Sequence, residues 1–252
     1  MKRFFERIHQ GHRTLAWPKA PVNLHPRFRG LPTLDVGKCP AGCSACSDAC
    51  PTDAISTSPR RIDLGKCLFC PVCTQACPTG ALAFSNDFRL GANARERLLT
   101  DGKSYALAQA MGEKLRRLLG RSLKLRQVSA GGCNACEGEL NVTGTVVFDV
   151  GRFGVQFVAS PRHADGIVVT GPVSRNMESA LRDTYAAVPS PKIVIAFGAC
   201  AISGGPFMGS PDCRNGIPAD IPVDLFLPGC PPHPMTFLDG VLRILGRMPK
   251  GG

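Results

Sequence analysis

Cysteines are the residues of this sequence whose type and spacing can carry chemistry. The chain has 13 of them among 252 residues, and eight fall into two runs that repeat with a period of 27 residues between positions 39 and 77. The second run is Cys67-x2-Cys70-x2-Cys73-x3-Cys77-Pro78, a spacing at which thiolates bind a [4Fe–4S] cluster. Three thiolates of such a run reach three irons of one cluster, while the fourth ligates the other cluster. The two runs therefore predict two clusters that exchange their fourth ligand.

Each of these two predicted clusters takes three cysteines from one run and one from the other. The ligands of the first cluster are Cys39, Cys43, Cys46 and Cys77. The ligands of the second cluster are Cys50, Cys67, Cys70 and Cys73. Three residues rather than two separate Cys39 from Cys43, so Cys39 departs from the regular spacing. A pair of zinc ribbons is the alternative, although zinc sites pair Cys-x2-Cys knuckles over a longer gap and lack the trailing Cys-Pro.

Four further cysteines predict a third [4Fe–4S] cluster, because each lies in a segment rich in glycine or proline that follows a predicted strand. They are Cys133, Cys136, Cys200 and Cys230. Loops at the carboxyl ends of parallel strands converge on one site, and four thiolates there suit an iron–sulfur cluster. Ordinary core cysteines are the alternative. Cys213 lacks such flanks and is predicted to be a free thiol, while His163 and His233 are predicted to be hydrogen-bonding partners rather than ligands.

The elements that must position these cysteines divide the chain into four segments. We expect a basic lead-in (1–30), an α+β ferredoxin-like domain for two [4Fe–4S] clusters (31–92), a helical linker (93–121) and an α/β domain (122–250). Apolar residues at helical spacing predict that residues 103–120 of the linker form a helix. Residues 3–8 could form a short amphipathic helix on a partner or membrane surface. A frayed terminus is the alternative for that stretch.

Strand-like and helix-like stretches alternate through the α/β domain. The predicted strands are 123–128, 154–159, 166–169, 192–197 and 223–227. The predicted helices are 137–148, 174–187 and 236–246. This order is typical of a flavodoxin-like open parallel sheet with helices on both faces.

Composition and charge restrict the class of protein. Hydrophobic residues make up 44% of the chain, which is enough for a buried core. The net charge of +11 would suit an anionic partner, but three clusters with their thiolates would offset much of it, and we expect no nucleic-acid partner. No GxGxxG or Walker A sequence supports nucleotide binding. The charged N-terminus has no apolar signal-peptide core, so we expect a reducing cytoplasm, where clustered cysteines indicate metal.

Several motifs resemble a known family of electron-transfer subunits. Residues 120–250 resemble the small subunit shared by [NiFe] hydrogenases and respiratory complex I, and the N-terminal cysteine runs resemble the two-cluster ferredoxin subunit of the same complexes. The matching segments are Gly131-Gly-Cys133-Asn-Ala-Cys136-Glu137, Ser160-Pro-Arg162-His163-Ala-Asp165, Gly171-Pro-Val-Ser-Arg175, Gly198-Ala-Cys200, Pro228-Gly-Cys230-Pro-Pro and Pro26-Arg-Phe-Arg29-Gly30. The Cys133-x2-Cys136 spacing and the Ser-Pro-Arg-His motif look like the membrane-associated group 4 hydrogenases, including formate hydrogenlyase, rather than complex I.

The resemblance implies an oxidoreductase subunit that relays electrons and carries no catalytic residues of its own. Three [4Fe–4S] clusters would connect a donor with the [NiFe] centre of a separate large subunit, and the chain would lie on the cytoplasmic side of the membrane through membrane subunits of the same complex. By the same resemblance, Glu137, Arg162 and His163 would line the third cluster or the large-subunit interface. Arg162 and His163 could instead only cap a helix or pair with Asp165.

Two other functions fit the same residues. A complex-I-like module without hydrogenase activity would pass electrons to a quinone or another acceptor, and its large subunit would lack nickel ligands. A free-standing ferredoxin carrier is the third possibility. The cysteine spacing of the α/β domain favours the hydrogenase subunit.

Overall fold

The computed structural model describes residues 2–248, without the side chains of Lys2, Phe4 and Arg7. Residue 1 of the predicted lead-in and residues 249–250 of the predicted α/β domain lie outside this range. The helices and strands before residue 122 are α1 (Lys2–Gln10), β1 (Pro32–Leu34), α2 (Ala45–Asp48), β2 (Ile55–Thr57), β3 (Arg60–Asp63), α3 (Val72–Ala76), β4 (Leu82–Phe84), β5 (Leu99–Thr100) and α4 (Glu113–Leu119). The later ones are β6 (Leu123–Ser129), α5 (Ala135–Val142), β7 (Val155–Phe157), β8 (Gly166–Thr170), α6 (Arg175–Ala187), β9 (Ile193–Phe197), α7 (Ala199–Ser203), β10 (Leu225–Leu227) and α8 (Pro234–Ile244).

The N-terminal part (residues 31–121) is built from two small antiparallel sheets and the short helices α2, α3 and α4. One sheet pairs β1 with β4, and the other has the order β2-β3-β5. Helices α2 and α3 occupy equivalent places in the two cysteine runs, and each buries one cysteine, Cys46 or Cys73. Both helices end just before a Cys-Pro pair, because the residue before proline is biased away from helical backbone. The sequence repeat is therefore a repeat of cysteine-bearing helices.

The α/β part (residues 122–248) is an open parallel sheet. Its strand order is β10-β9-β8-β6-β7, and every neighbouring pair is parallel. Numbered along the chain, this is the 2-1-3-4-5 order of flavodoxin-like sheets, so the predicted fold class is confirmed. Strands β8 and β9 are buried at every residue, as expected when helices cover both faces of a parallel sheet.

Two apolar cores lie on opposite faces of this sheet. On one face, Leu125 and Phe197 pack in a cluster with Leu140 of α5 and Phe237 of α8. On the other face, the strand residues Val169 and Val194 cluster with Leu181 of α6. The carboxyl-terminal edge of the sheet is left to the loops that carry cysteines.

The predicted linker differs from the structure. Only Glu113–Leu119 is helical within the predicted helix 103–120, because the preceding residues bind other segments instead of each other. Tyr105 Oη donates to Leu90 O at 2.6 Å, Ala108 N to Gly91 O at 2.7 Å, and Met111 N to Ile244 O at 2.8 Å. Leu99–Thr100 also pairs with β3, so this piece of the predicted linker adds the third strand to the β2-β3 sheet.

The second helix correction concerns residues 137–148, where the helix ends at Val142. Thr143 Oγ1 donates back to Leu140 O at 2.6 Å, and Gly144 follows. A local hydroxyl bond and a glycine both favour termination over continuation of a helix. The predicted helix near the N-terminus does form, as α1, and its surface partner stays a prediction.

The lead-in is held against the α/β part by Trp17. Its side chain is only 7% exposed and packs edge-on against Phe88 and Phe153, with ring centroids 6.3 and 6.1 Å away. Leu15 N donates to Val147 O at 2.9 Å. Within residues 2–248, no helix combines the length and the apolar character needed to cross a membrane.

Trp17→Ala should lower the free energy of unfolding of the chain with its metal centres bound by about 3–5 kcal/mol, because it leaves a cavity where a large side chain was buried. Urea unfolding followed by far-UV circular dichroism measures the change. Leu118→Ala is the control, since Leu118 is 59% exposed, and its effect should stay within about 0.5 kcal/mol. Equal effects of the two substitutions would contradict the anchoring role of Trp17.

Candidate metal centres

One set of thiols in the N-terminal part, the middle set, consists of Cys50, Cys67, Cys70 and Cys73. Cys67 follows a turn, Cys70 lies in the next loop, Cys73 is on α3, and Cys50 comes from the first run. Electrostatic interactions join the thiol of Cys67 to those of Cys73, Cys50 and Cys70. The four cysteines line one pocket whose other walls are mostly apolar. The structure thus brings together the four residues predicted as ligands of the second cluster.

The raised pKa values of these thiols indicate which kind of group the pocket between them would bind. Burial, and then the neighbouring Cys73, Cys50 and Cys70, raise the pKa of Cys67 to about 12. Burial, and then Cys70 and Cys50, raise the pKa of Cys73 to about 11. Such thiols stay protonated at neutral pH unless a cationic centre compensates for their charge. Iron of a [4Fe–4S] cluster supplies that compensation, and the donor set fits it.

The outer set of thiols is the predicted group of Cys39, Cys43 and Cys46 from the first run together with Cys77. Burial, and then Cys39 and Cys77, raise the pKa of Cys46, although nearby N–H groups oppose the change. Cys39, which departs from the regular spacing, is therefore near its predicted partners. Arg60 Nη2 donates to Pro40 O at 3.4 Å and to Cys43 O at 3.2 Å. This arginine holds the enlarged turn that contains the additional residue.

Cys77 differs electrostatically from the other thiols. Although burial acts to raise its pKa, the backbone N–H groups of Leu82, Thr79 and Ala81 lower it to about 7. Hydrogen bonds to the charged form favour that form. The thiolate of Cys77 is accordingly stabilised by the backbone as well as by any metal.

A threonine follows each of the two Cys-Pro pairs and approaches the cysteine sulfur, a feature that the spacing argument missed. Thr52 Oγ1 lies 3.9 Å from Cys50 Sγ, and Thr79 Oγ1 lies 3.9 Å from Cys77 Sγ. Thr52 Oγ1 also donates to Lys66 O at 2.8 Å. The repeated Cys-Pro-Thr triplet in the sequence was the available signal. Hydrogen bonds near ligand sulfurs orient them and tune reduction potential.

The third set of thiols lies at the carboxyl-terminal edge of the parallel sheet. Cys133 and Cys136 follow β6, Cys200 is on α7 directly after β9, and Cys230 follows β10. Electrostatic interactions join Cys136 to Cys200, Cys230 and Cys133. Burial is the main cause that raises the pKa of Cys136 and that of Cys200, the latter to about 12. The loops of three strands therefore converge as predicted on one group of thiols.

Glycines make room for these sulfurs. A Cβ atom at Gly198 would lie 2.7 Å from Cys136 Sγ, and one at Gly205 would lie 2.9 Å from Cys200 Sγ. Both glycines have left-handed backbone, with φ of 98° and 54°, which favours glycine over other residues. The edge is thus a thiol-lined cradle that side chains would fill, and it fits a cluster ligated by four cysteines.

Glu137 is buried beneath this edge, at 5% exposed. Its Oε1 accepts hydrogen bonds from Ser129 Oγ and from Thr170 Oγ1, both at 2.6 Å. Although burial acts to raise the pKa of Glu137, these two bonds lower it overall. The carboxylate joins the ends of β6 and β8 to the start of α5, and it interacts with Cys136. Glu137 therefore lies beside the third set of thiols.

Arg162 and His163 lie elsewhere. They line a cleft with Ser122, Lys124 and residues 189–191, which lie before or at the start of β6 and β9 and so mark the amino-terminal edge of the sheet. Residues 160–165 directly precede β8, which runs parallel to β6, so the chain has returned to this edge before β8 begins. The expectation that the two residues line the third cluster is therefore wrong. Their place at a subunit interface stays a prediction.

His233 and Cys213 were the other residues considered. His233 Nδ1 accepts from Met235 N at 3.1 Å and caps α8, so its predicted role as a hydrogen-bonding partner is confirmed. Burial lowers its pKa. Cys213 interacts electrostatically with Cys200, a proximity that its polar loop did not indicate. Among residues 2–248, no three His, Cys, Asp or Glu side chains are spaced to hold a single metal ion.

The third set of thiols also meets the middle set. Burial is the main cause that raises the pKa of Cys230, and the neighbouring thiols of Cys133 and then Cys70 raise it further. Cys70 belongs to the middle set in the N-terminal part. The middle and third sets therefore approach each other across the contact between the two parts of the chain.

Comparison with known proteins gives two family matches. Residues 133–244 match the family described as NADH ubiquinone oxidoreductase, 20 Kd subunit. Residues 38–81 match the 4Fe-4S dicluster domain, which implies that the N-terminal part binds two [4Fe–4S] clusters.

Three relatives illustrate the similarity. Over 137 residues the chain is 43% identical to the probable membrane-bound hydrogenase subunit mbhJ of Pyrococcus furiosus, a match that covers 54% of this chain and 82% of that protein. It is 42% identical over 137 residues to formate hydrogenlyase subunit 7 of Escherichia coli, covering 54% of each. It is 42% identical over 118 residues to an NADH-quinone oxidoreductase subunit of Heliobacterium modesticaldum, covering 46% of this chain and 67% of that protein.

One solved structure also resembles the chain. It is that of the membrane-bound sulfane sulfur reductase, an archaeal respiratory membrane complex, and the matched chain is 29% identical with a TM-score of 0.47. The match covers 56% of this chain and 78% of that one.

Single cysteine substitutions should separate ligands from the spare thiol. Cys67→Ser and Cys136→Ser should each lower the iron content of anaerobically purified protein by about four per chain, from about twelve, because each removes a predicted ligand of a predicted four-iron cluster. Cys213→Ser is the matched control and should leave iron unchanged. Iron and protein assays on the same samples provide the measurement. A full iron content in Cys136→Ser, or a loss in Cys213→Ser, would contradict the ligand assignment.

Proposed function

Because the chain belongs to the family of the 20 Kd subunit of NADH ubiquinone oxidoreductase, we propose that it is the iron–sulfur electron-transfer subunit of a membrane-associated hydrogenase complex. In this proposal the α/β part adds a third [4Fe–4S] cluster to the two of the N-terminal part. The third cluster is held by Cys133, Cys136, Cys200 and Cys230. The partner is a large subunit with a [NiFe] centre.

The contact between the two parts of the chain carries this proposal. Ser203 Oγ, on the helix of Cys200, donates to Gly65 O at 2.9 Å, two residues before Cys67. Cys70 also lies near enough to Cys230 to raise its pKa. A carrier with two unrelated cofactor sites would have no reason to bring them together. Here Cys230 in the α/β part interacts with Cys70 in the N-terminal part, while the outer set joins Cys46 of α2 to Cys39 and Cys77. Three sites that follow one another through a chain suit transfer of electrons from one end to the other.

Each [4Fe–4S] cluster supplies reversible one-electron transfer when it is bound. The protein residues hold and shield it. Cysteine thiols ligate the irons, Thr52 and Thr79 lie beside ligand sulfurs, and Gly198 and Gly205 bring backbone against the third site. Glu137 fixes the start of α5 to two strands of the sheet.

The large subunit is proposed to cover the carboxyl-terminal edge of the sheet. Cys133 and Cys230 are exposed there, whereas Cys200 is buried. A cluster with two exposed ligands stands at the surface, from which electrons can reach another chain. Burial by a partner would also exclude water from the cluster, which is one of the factors that set its reduction potential.

Two observations favour a hydrogenase over a complex-I-like reductase. Cys133 and Cys136 are separated by two residues, a spacing that resembles the group 4 hydrogenases rather than complex I. The similarity to hydrogenase subunits, such as mbhJ and formate hydrogenlyase subunit 7, extends over 137 residues, compared with 118 for the NADH-quinone oxidoreductase subunit. The complex-I-like module remains the second candidate, because the family model carries the name of that enzyme. We also propose that the chain lies at the cytoplasmic face of the membrane, attached through partner subunits.

Metal analysis of the complex tests the proposal. The chain carries an affinity tag and is purified anaerobically from its native host together with its partners. We expect nickel in an amount about equal to the chain, and about twelve irons in the chain itself, as three four-iron clusters require. The relevant control is a complex isolated through the tagged large subunit, which should give the same nickel ratio.

Full iron without nickel, in a complex that retains its large subunit, would contradict the hydrogenase and favour the complex-I-like module. About eight irons in the isolated chain would contradict the third cluster. A tagged chain that purifies alone with all its iron would favour a free-standing carrier.

A further inference from the structure

Among the residues described, two hydroxyl groups of the α/β part donate hydrogen bonds into the N-terminal part. Ser203 Oγ donates to Gly65 O at 2.9 Å, and Thr236 Oγ1 donates to Phe88 O at 2.9 Å. Both hydroxyl-bearing residues are buried. The two bonds share their chemistry and length but hold different segments. Gly65 lies two residues before Cys67, whereas Phe88 lies outside both cysteine runs.

The turn that Ser203 contacts is also held firmly from its own side. Asp63 accepts hydrogen bonds from Gly65 N at 2.9 Å and from two nitrogens of Arg95 at 2.8 and 2.6 Å. The backbone carbonyl of Asp63 accepts the N–H of Cys67 at 3.0 Å. Bidentate arginine–carboxylate pairs add geometric specificity as well as energy. The same residue thus fixes both Gly65 and the cysteine that follows it.

Gly65 leaves no space between this turn and helix α7. A Cβ atom at Gly65 would lie 2.8 Å from Ile202 Cγ2 and 2.9 Å from Arg95 Cζ. Ile202 and Ser203 belong to α7, the helix that carries Cys200. Since packed interiors transmit strain rather than absorb it, an added methyl group would push the turn away from that helix.

We propose that Ser203 and Gly65 are positioning residues that set the separation between the middle set and the third set of thiols. The inference rests on the proposed function, in which both sets hold clusters. Cys67 is fixed to one side of the contact and Cys200 to the other, so a rigid contact between them fixes both sites. Sites for chemistry need supporting residues that hold them to within about 0.5 Å.

The experiment compares three variants of the full-length chain, each purified anaerobically with its partner subunits. Ser203→Ala removes the hydroxyl group that donates to Gly65 O, and Gly65→Ala adds a methyl group against Ile202. Thr236→Val is the matched control, because it removes a hydrogen bond of equal length between the same two parts. The iron content shows whether each variant still binds its clusters, and thermal unfolding shows whether it is still folded. Electron paramagnetic resonance of the reduced protein reports the magnetic interaction between the two clusters, which weakens steeply as they separate.

We expect full iron in all three variants. The magnetic interaction should be weaker in Ser203→Ala and weakest in Gly65→Ala, while Thr236→Val keeps the interaction of the unsubstituted protein. An unchanged interaction in Ser203→Ala and Gly65→Ala, or an equal loss in Thr236→Val, would overturn the positioning role. If Gly65→Ala loses iron or unfolds, Ser203→Ala decides, since it removes a single oxygen atom.

Failure of the proposed function would look different. Unsubstituted protein without the signal of the third or the middle cluster would contradict the assignment of clusters to these thiols, and the positioning role would fall with it. Unsubstituted protein with both signals, but with variants that behave alike, would contradict only the positioning role.

Discussion

Thiols that are brought together away from water raise one another's pKa, and the placement of the cysteines depends on compensating for this. Burial and neighbouring thiols raise the pKa of Cys67 to about 12, and that of Cys200 also to about 12. Without a cationic centre these thiols stay protonated, and no metal–thiolate bond holds them next to one another. Because metal binding supplies the missing charge, binding and folding are coupled in such sites. The short helices and loops around the cysteines are therefore expected to depend on iron for much of their order.

The two parts of the chain meet the same constraint by different means. In the N-terminal part, two short helices and a repeated Cys-Pro-Thr triplet bring the thiols in from both sides. In the α/β part, a sheet buried on both faces holds three loops at one edge, and Gly198 and Gly205 give the sulfurs room. The contact through Ser203 and Gly65 joins the two arrangements. A rigid sheet on one side and a braced turn on the other suit sites whose separation matters.

Much of this arrangement could be read from local sequence signals. Cysteine spacing predicted which thiols belong together, and alternating strands and helices predicted a flavodoxin-like sheet. The failures came where tertiary contacts overrode local preference. Residues 103–112 have helical periodicity, but Tyr105 and Ala108 hydrogen-bond to distant backbone instead. Arg162 and His163 stand in a recognisable motif, yet that motif directly precedes the parallel strand β8, so it lies at the amino-terminal edge of the sheet, away from the cysteine loops. No local signal shows that Cys70 lies near enough to Cys230 to raise its pKa, since that approach depends on how two folded parts dock.

The order of the three sites is the central claim, and selective removal of one cluster at a time tests it most directly. Cys50→Ser removes a predicted ligand of the middle site and Cys46→Ser removes a predicted ligand of the outer site, and the electron paramagnetic resonance spectrum of the proposed third cluster is recorded for each reduced protein. The account predicts that Cys50→Ser abolishes the magnetic interaction felt by the third cluster, while Cys46→Ser leaves it in place. Loss of that interaction in Cys46→Ser, with retention in Cys50→Ser, would contradict the order.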